Sequence, residues 1–497
     1  MYVTPEQMKQ LEALTDASGV SYAEMMERAG NALAEQIMLH CPEQKKVLLL
    51  AGNGNNGGDC YTAAFYLKNE GWMPEILAPC GEPRTDIAKA ARDRAKKEGI
   101  PVFNEAYDFV INDVEVVVDG IFGTGFRGDL PESLQSLMTY MTDKYRIACD
   151  VPSGGNCLDG SVSEGTLRAD LTVTFGAEKL GMTQYPLREY CGKIVTVDIG
   201  LSATARYKVN PPPIHHLSLS NAKKLIPAYK TNSYKQENGH LLVVAGSVRM
   251  RGACVLASTA AMRSGVGMVT CATTEQAAAA IAVNTPEIMS VPLATDEKGF
   301  LLCEKNREDI AEALQGKDAV LIGCGLGVTP DTRQLVKYVL ENAPEDCSIV
   351  LDADGLNIVA DCIEYIPEGR TILTPHAGEA ARLLHCTVDE VQADRPEMAK
   401  KLAQLTKATV VLKGAGTIVT DGERMAVCAL GNAGMAKAGS GDVLAGIAAA
   451  FSAKMPVYSA ACAAVGIHAV AGDNAASKNT QRSMLPSDII SSLKDVL

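Results

Sequence analysis

The sequence predicts an α/β protein of two domains, each built on a mostly parallel β-sheet with helices on both faces. Its 497 residues correspond to about three average domains of roughly 150 residues, or to two large ones. Short apolar runs bounded by Gly or Pro alternate with helical stretches, which is typical of buried parallel strands. One connector, KVNPPPIHHLS at residues 208–218, interrupts this alternation. Its three consecutive prolines favour an extended, semi-rigid segment, so we place the domains at 1–212 and 213–497.

The first domain begins with an amphipathic helix and continues with alternating strands and helices. Apolar residues from Tyr22 to Ile37 recur at helical spacing and predict a helix over 21–39. Two further stretches are predicted as helices, at 84–98 and 131–142. The predicted strands are the apolar runs at 47–50, 76–78, 114–118, 147–148, 171–175 and 194–197.

The second domain repeats this pattern and closes with Ala-rich helices through 443–475. Continuous apolar strands of this kind occur in sheets that are covered on both faces. The sequence therefore predicts the same architecture for both domains. The predicted strands of the second domain lie at 241–245, 269–272, 319–322, 348–351, 371–373 and 410–412.

Charge and composition exclude several classes of protein. The formal net charge of −13 argues against a nucleic acid or an anionic membrane surface as partner. Apolar residues at 47% and charged residues at 21% exclude bulk disorder. The 15 cysteines include no C-x-x-C pair, which argues against a disulfide framework or a zinc ribbon. With no signal-like start and no apolar run near about 18 residues, we expect a cytoplasmic protein.

A glycine-rich loop follows the first predicted strand, with GNGNNGGD at residues 52–59. It satisfies G-x-G-x-x-G, and glycines there let backbone N–H groups approach a phosphate at a helix N-terminus. The alternative is a tight strand–helix turn without a ligand. The acid that binds ribose in hydride-transferring domains is missing, because the next strand ends in Pro79 and Cys80. An ordinary NAD-dependent oxidoreductase is therefore disfavoured.

Two more strands of the first domain end in loops of acids and small polar residues. These loops are DGIFGTG at residues 119–125 and DVPSGGN at residues 150–156. Because the carboxyl ends of parallel strands meet at one edge of a sheet, we expect all three loops to converge on one crevice. Oxygen atoms of Asp, Asn and Ser suit a hard cation, and their low total charge suits a monovalent one.

These loops, together with MERAG at residues 26–30, resemble the NAD(P)H-hydrate epimerase domain, which has a Rossmann-like three-layer fold. The resemblance implies that potassium is held by Asn56, Asp119 and Ser153. It also implies substrate contact by Asp150, which we predict to be catalytic, and it leaves open whether Asp150 transfers a proton or holds the substrate. The implied substrate contacts are Asn55, Asn56, Gly57, Gly58, Asp59, Gly123, Thr124, Gly125, Phe126, Arg127, Gly128, Asp129 and Asp150.

Two motifs of the second domain predict a phosphate site. KGAGT at residues 413–417 follows a predicted strand; its lysine and glycines could face a phosphate or an adenine ribose, or form only a β-hairpin. GSGD at residues 439–442 opens an Ala-rich helix, and small residues entering a helix present N–H donors that favour an anion. Asp442 either complements the helix dipole or deprotonates a hydroxyl during phosphoryl transfer.

The GSGD helix start resembles the ribokinase-like superfamily, an α/β fold. Three further segments resemble its NAD(P)H-hydrate dehydratase members: GCGLG at 323–327, DADGL at 352–356 and LTPHAGE at 373–379. The resemblance implies ADP as phosphoryl donor, with Mg²⁺, and Asp442 as a catalytic residue. The implied hydrate contacts are Ala253, Gly325, His376 and Asp442. The implied nucleotide contacts are Lys413, Gly414, Ala415, Gly416, Thr417 and Gly441.

The second domain departs from the family pattern near the implied nucleotide site. Ala433, Lys437 and Ala438 stand where Pro, Thr and Gly are expected, and Ala377 replaces a second proline. Lys437 could change nucleotide affinity or add a phosphate contact. Because the segment from Gly439 to Asp442 is intact, activity is expected.

The sequence thus predicts a bifunctional repair enzyme for hydrated nicotinamide cofactors. The first domain would interconvert the R and S epimers of NADHX and NADPHX, and the second would dehydrate the S epimer at the expense of ADP. The alternative is a ribokinase-like small-molecule kinase fused to a non-catalytic Rossmann-like binding module. We expect a homo-oligomer with no nucleic-acid or membrane partner. The sequence does not decide between ADP and ATP as phosphoryl donor, or between NADHX and NADPHX as preferred substrate.

Overall fold

A computed structural model of the chain describes residues 1–104, 114–211 and 213–497. Within them the chain forms two compact units, Met1–Ile214 and His215–Leu497. The predicted domain boundary at residue 212 falls on Pro212, which lies outside the described residues. Across the described part of the chain, no helix combines the length and hydropathy needed to span a bilayer. All 15 cysteines are free thiols.

The first unit is built on a parallel sheet of seven strands. The strands described in this unit are β1 (Tyr2–Val3), β2 (Lys46–Ala51), β3 (Met73–Leu77), β4 (Val102–Phe103), β5 (Val116–Gly120), β6 (Tyr145–Cys149), β7 (Leu171–Phe175), β8 (Glu178–Lys179) and β9 (Lys193–Val197). Their order in the main sheet is β4-β3-β2-β5-β6-β7-β9, while β1 and β8 form a separate parallel pair.

Helices surround this sheet, and its strand order determines where a ligand can bind. The helices are α1 (Pro5–Asp16), α2 (Tyr22–His40), α3 (Asn55–Asn69), α4 (Asp86–Lys97), α5 (Glu132–Thr139), α6 (Leu187–Tyr190) and α7 (Ala203–Lys208). The chain proceeds from β2 to β3 on one side and continues with β5 on the other side of β2. The loops after β2 and β5 therefore separate at a topological switch point, where α/β sheets leave a crevice for ligands.

The second unit contains a larger, mixed sheet of ten strands. They are β10 (His215–His216), β11 (His240–Val244), β12 (Met268–Thr274), β13 (Met289–Leu293), β14 (Ala319–Ile322), β15 (Ser348–Leu351), β16 (Thr371–Leu373), β17 (Thr409–Leu412), β18 (Thr417–Thr420) and β19 (Met425–Cys428). The order is β10-β19-β18-β17-β16-β15-β14-β11-β12-β13. Only the pairs β17–β18 and β18–β19 are antiparallel among these strands, and the switch point lies between β11 and β14.

The Ala-rich segment near the C-terminus forms two packed helices of the second unit. The helices of this unit are α8 (Leu219–Leu225), α9 (Arg251–Arg263), α10 (Glu275–Asn284), α11 (Arg307–Leu314), α12 (Pro330–Asn342), α13 (Asp354–Val359), α14 (Ala377–Leu384), α15 (Val388–Ala393), α16 (Arg395–Thr406), α17 (Ser440–Ser452), α18 (Val457–Ser483) and α19 (Pro486–Ser492). A Cβ on Gly446 of α17 would lie 2.1 Å from the carbonyl oxygen of Ala257 in α9. Small residues therefore let α17 pack closely against its neighbours.

The predicted α/β class is confirmed, and every predicted strand overlaps an observed one. The strands that the sequence did not predict are β1, β4, β8, β10, β13, β18 and β19. Four of these, β1, β4, β8 and β10, have only two residues, and such short elements carry no measurable periodicity. The antiparallel pairing of β17 with β18 makes the second sheet mixed rather than uniformly parallel.

Candidate active sites

The first unit holds a cavity of about 780 Å³ at the carboxyl ends of its central strands. The loops after β2, β5 and β6 all contribute to its wall, so the three acid- and glycine-rich loops meet at one crevice. Helices α1 and α2 and the short strand β8 complete the wall. Of the implied substrate contacts, those that line the cavity are Asn55, Asn56, Asp59, Gly123, Thr124, Gly125, Phe126, Arg127, Asp129 and Asp150.

Gly57, Gly58 and Gly128 do not line the cavity. A Cβ on Gly57 would lie 1.9 Å from the carbonyl oxygen of Gly52, and one on Gly58 would lie 2.4 Å from Cε of Met26. Gly57 and Gly58 are thus needed for close packing inside the unit, since a side chain would collide there. Gly54, which precedes α3, has no atom within 4 Å of its Cβ position and faces open space.

Asp150 has an unusual backbone conformation directly after β6. Its φ is 68°, and the N–H of Val151 donates to the carbonyl of Cys149 at 2.9 Å. Asp150 is therefore the central residue of a γ-turn with positive φ, a strained arrangement for an L-residue. The hydroxyl of Thr174 and the N–H of Phe175 both donate to its Oδ1, each at 3.1 Å.

Lys179 on β8 pairs with this carboxylate inside the wall of the cavity. Its ammonium donates to Oδ1 of Asp150, to the hydroxyl of Thr174 at 2.8 Å and to the carbonyl of Phe175 at 3.2 Å. The Lys179 side chain is 0% exposed and the Asp150 side chain 10%. None of these contacts uses Oδ2 of Asp150. The ion pair therefore holds one carboxylate oxygen and leaves the other without a contact from these groups.

Two more acidic residues, on helices α1 and α3, lie in the wall of the same cavity as Asp150 and Lys179. Glu12 on α1 and Asp59 on α3 both line the cavity. Burial raises the pKa of Glu12 to about 7, with the Asp150 carboxylate adding to the rise and Lys179 opposing it. Burial also raises the pKa of Asp59 well above its usual range, and Asp150 and Glu12 add to that rise. The cavity therefore combines the carboxyl groups of Glu12, Asp59 and Asp150 with the buried ammonium of Lys179, while a fourth acid, Asp129, is exposed on the loop after β5.

The three implied potassium ligands lie beside this cavity. The hydroxyl of Ser153 donates to Oδ1 of Asp119 at 2.5 Å, and the N–H of Ser153 donates to Oδ2 at 2.8 Å. Asn56 is close to the same loop, because a Cβ on Gly123 would lie 3.2 Å from its Oδ1. Burial raises the pKa of Asp119, although its bonds from Ser153 lower it. Hard oxygen donors with a single carboxylate fit a monovalent cation, whose charge would offset the burial of that carboxylate.

In the second unit, Asp442 lies in the first turn of α17. The preceding Gly439 has φ of 99°, and a Cβ there would lie 2.6 Å from Cδ1 of Leu256. This glycine therefore lets the chain turn into the helix, whose N-terminus favours an anion. Burial raises the pKa of Asp442 to about 7, and the carboxylate of Asp352 adds to the rise.

Lys413 connects the two motifs of this unit. Its ammonium donates to Oδ1 of Asp352 at 2.8 Å and lies 3.7 Å from Oε2 of Glu379. A Cβ on Gly441 would lie 3.4 Å from Nζ of Lys413, so the lysine lies beside the first turn of α17. Burial opposes the ionisation of Asp352, but Lys413 together with hydrogen bonds from Thr374 and Cys324 holds the pKa of that carboxyl below its usual range.

The KGAGT segment is the turn of the β17–β18 hairpin. The hydroxyl of Thr417 donates to the carbonyl of Gly414 at 2.7 Å, and Ala415 is exposed at the turn. Gly414 and Gly416 have φ of 146° and 68°, which favours glycine. The hairpin, one of the two alternatives at the level of the sequence, is thus present, and the contact of Lys413 with a phosphate stays a prediction.

The implied hydrate contacts fall into two groups. A Cβ on Gly325 would lie 2.8 Å from Cβ of Ala253, so these two residues adjoin. His376 caps α14: its Nδ1 accepts from the N–H of Gly378 at 2.9 Å, and its side chain is 56% exposed. His376 donates its own backbone N–H to Oε2 of Glu379 at 2.8 Å, and Glu379 in turn faces Lys413.

Lys437 does not point toward a phosphate. Its ammonium donates to the carbonyl of Arg482 at 2.7 Å and to that of Met484 at 2.5 Å. These carbonyls belong to the C-terminal end of α18, where a cation stabilises groups without a helical partner. The contact that we considered from the sequence is therefore replaced by a helix cap.

Sequence reasoning did not place four of these charged groups in the sites: Glu12, Lys179, Asp352 and Glu379. Asp352 follows β15 and could have been found by the strand-end rule that singled out Asp119 and Asp150. Glu12 and Lys179 carry no such signal, because one lies in the middle of an amphipathic helix and the other on a two-residue strand.

Comparisons with known proteins give a family match in each of the two units. A family model described as NAD(P)H-hydrate dehydratase matches residues 241–495, and one described as YjeF-related protein N-terminus matches residues 22–181. A bifunctional NAD(P)H-hydrate repair enzyme of Coxiella burnetii is 33% identical over 98% of this chain and 97% of that protein. One of Escherichia coli is 32% identical over 97% and 91%. A ribokinase-like superfamily protein of Enterococcus faecalis is 25% identical, with a TM-score of 0.51, over 57% of this chain and 94% of that one.

Proposed function

Because the chain belongs to the family of bifunctional NAD(P)H-hydrate repair enzymes, we propose that each unit carries one of the two activities. Residues 1–212 would form the epimerase domain and residues 213–497 the ADP-dependent dehydratase domain. The observation that carries the proposal is that each unit holds a buried carboxylate–lysine pair at the carboxyl edge of its sheet. These pairs are Asp150 with Lys179 and Asp352 with Lys413.

In the dehydratase unit, Asp442 would act as the general base. Its raised pKa of about 7 suits a group that accepts the proton of the C6 hydroxyl as the phosphoryl group arrives. The first turn of α17 would bind the phosphate through its N–H groups, with Lys413 beside it. Loss of phosphate from C6, with loss of a proton from the neighbouring carbon, then restores the ring double bond.

The nucleotide would bind along Lys413, Gly414, Ala415, Gly416, Thr417 and Gly441, with the hydrate near Ala253, Gly325 and His376. Mg²⁺ bound with the nucleotide would neutralise charge on its phosphates. The carboxylate offered to it is that of Asp352, which lies within 4.8 Å of Asp442 and of Sγ of Cys324. Mg²⁺ prefers a carboxylate to the thiol, and Asp442 stays available for the hydroxyl proton.

In the epimerase unit, Asp150 would bind a hydroxyl of the hydrated cofactor through Oδ2. Lys179 fixes the carboxylate through Oδ1 and neutralises its charge. The loop at 123–129 and the residues Asn55, Asn56 and Asp59 would surround the substrate. Potassium, held by Asn56, Asp119 and Ser153, would supply positive charge next to this site.

A single assay tests the proposal. The purified chain is incubated with a mixture of R and S hydrates, ADP or ATP in parallel, and Mg²⁺. Recovery of all of the reduced cofactor supports both activities, whereas recovery of the S fraction alone contradicts the epimerase assignment. A stable phosphorylated product without reduced cofactor would identify a small-molecule kinase instead.

A further inference from the structure

Glu12 reaches the epimerase cavity from an element that none of the sequence motifs includes. It lies on α1, whose start is fixed by a capping box between Thr4 and Gln7. Met8 and Leu11 bury one face of this helix in the core, and the half-buried Glu12 side chain emerges beside that face into the cavity. Glu6, on the same helix, is exposed to solvent.

The cavity that Glu12 enters is lined by charged and titratable groups of several elements. They are Lys9 on α1, Tyr22 on α2, Asp59 on α3, Arg127 and Asp129 after β5, Asp150 after β6 and Lys179 on β8. The buried cation among them, Lys179, already pairs with Asp150. Glu12 therefore shares a partly dehydrated space with Asp59 and Asp150, where burial and nearby negative charge favour its protonated form over its ionised form.

We propose that Glu12 is the proton-transfer residue of epimerisation, and that the Asp150–Lys179 pair holds the substrate for it. The inference rests on the proposed function. C6 of the hydrate carries both a hydroxyl and the ring nitrogen. Glu12 gives its proton to that hydroxyl, the C6–O bond breaks with its electron pair on oxygen, and the nitrogen lone pair forms the C=N bond. The released water adds to the other face and returns a proton to Glu12, so no oxidant or reductant is needed.

The other acids of the cavity are less suited to this step, and one of them, Asp129, lies exposed on the loop after β5. Asp150 is held at Oδ1 by an ammonium, a hydroxyl and a backbone N–H. Asp59 is more deeply buried than Glu12, and this burial raises its pKa and opposes the ionised form that must accept a proton. A pKa of about 7 lets Glu12 give and take a proton with nearly equal ease at neutral pH.

The test compares Glu12→Gln with Glu6→Gln, its exposed counterpart on α1, using the full chain. Interconversion of pure R hydrate is followed chromatographically without nucleotide between pH 5 and 9, and dehydration of pure S hydrate is measured separately. We expect kcat for epimerisation to fall about 10²–10⁴-fold in Glu12→Gln, with KM and dehydration unchanged. The optimum near neutral pH should disappear, Glu12→Asp should restore part of the rate, and Glu6→Gln should match the parent.

Two results would overturn the inference. A parental rate and pH profile in Glu12→Gln would remove Glu12 from the proton transfer. A raised KM with unchanged kcat would make Glu12 a substrate ligand instead. Failure of the parent chain to interconvert the epimers is a different result, because it contradicts the epimerase assignment itself before any variant is made. Equal melting temperatures of the Glu12 variants and the parent would show that the variants are folded, so that a changed rate is not caused by misfolding.

Discussion

At the scale of single residues, Asp150 combines a strained backbone with a buried ion pair. A positive φ at a non-glycine residue costs on the order of 1–3 kcal/mol, and Asp150 has φ of 68°. Burying the ammonium of Lys179 adds a desolvation penalty that is offset by its attraction to the Asp150 carboxylate and by its hydrogen bonds. Both costs are understandable if the carboxylate must be held in one position for the substrate.

We therefore expect Asp150→Ala to slow epimerisation more than tenfold and to leave dehydration of the S epimer unchanged. The substitution removes the substrate contact and leaves the Lys179 ammonium buried without its partner. Rates on pure R and pure S hydrates measure the two activities separately. Normal epimerisation would show that this carboxylate only stabilises the turn, and a parallel loss of both activities would show that the two units are coupled.

Asp442→Asn should abolish dehydration while epimerisation and folding are retained, because an amide cannot accept the hydroxyl proton. The expected loss is about 10²–10⁴-fold. In the parent, the dehydration rate should fall as pH drops through about 7, since burial raises the pKa of Asp442 to that value and the protonated form is inactive. A pH-independent rate between 5.5 and 8.5, or near-parental dehydration by the variant, would remove Asp442 from the mechanism.

Epimerisation should depend on potassium or a similar monovalent ion. Asn56, Asp119 and Ser153 offer one carboxylate among neutral oxygens, too little charge for a dedicated divalent site. Rates are compared in potassium chloride and in tetramethylammonium chloride of equal ionic strength, after exhaustive dialysis. Full activity without any small monovalent cation would contradict the site. The variant Asp119→Asn removes the one carboxylate of the site, and its rate of dehydration of the S epimer is the control that shows whether its second unit is folded.

At the scale of elements, the first unit depends on the close crossing of α2 and α3. A Cβ on Gly30 of α2 would lie 2.4 Å from Cβ of Thr62 in α3. The same crossing positions α3 at the carboxyl end of β2, where it presents Asn55, Asn56 and Asp59 to the cavity. The MERAG segment therefore has a structural role that its resemblance to a family motif does not reveal.

Gly30→Ala should destabilise the first unit by about 1–3 kcal/mol, the usual range for inserting a methyl group into a packed interior. Gly125→Ala is the matched control, because a Cβ there has open space, its φ lies outside the left-handed region and the residue is exposed on a loop of the same unit. Urea denaturation followed by circular dichroism measures both variants. Equal denaturation midpoints for the two variants would mean that α2 and α3 can move apart without loss of stability.

At the scale of the whole molecule, each unit has its own sheet, core and site. The core of the first unit includes Leu49 and Val118, and that of the second includes Val243 and Leu321. No residue assigned to one activity comes from the other unit. The two activities should therefore be separable by mutation.

A mixture of Asp150→Ala and Asp442→Asn chains should repair pure R hydrate, although neither variant does so alone. The S epimer formed by the second variant reaches the intact dehydratase of the first through solution. Recovery of reduced cofactor over time, at several ratios of the two variants, measures this. A mixture that stays inactive would mean that the S epimer is transferred only within one chain.

The sequence by itself determined the α/β class, the positions of the long strands and the three loops that meet at the first crevice. It could do so because buried parallel strands carry continuous apolar runs, and their carboxyl ends necessarily share one edge. Only the tertiary structure decided which charges meet. Lys179 reaches Asp150 across 29 residues and Lys413 reaches Asp352 across 61, and Lys437 caps a helix end rather than a phosphate. Pairs so far apart leave no periodic pattern in the chain, because their partners are brought together by the packing of whole elements.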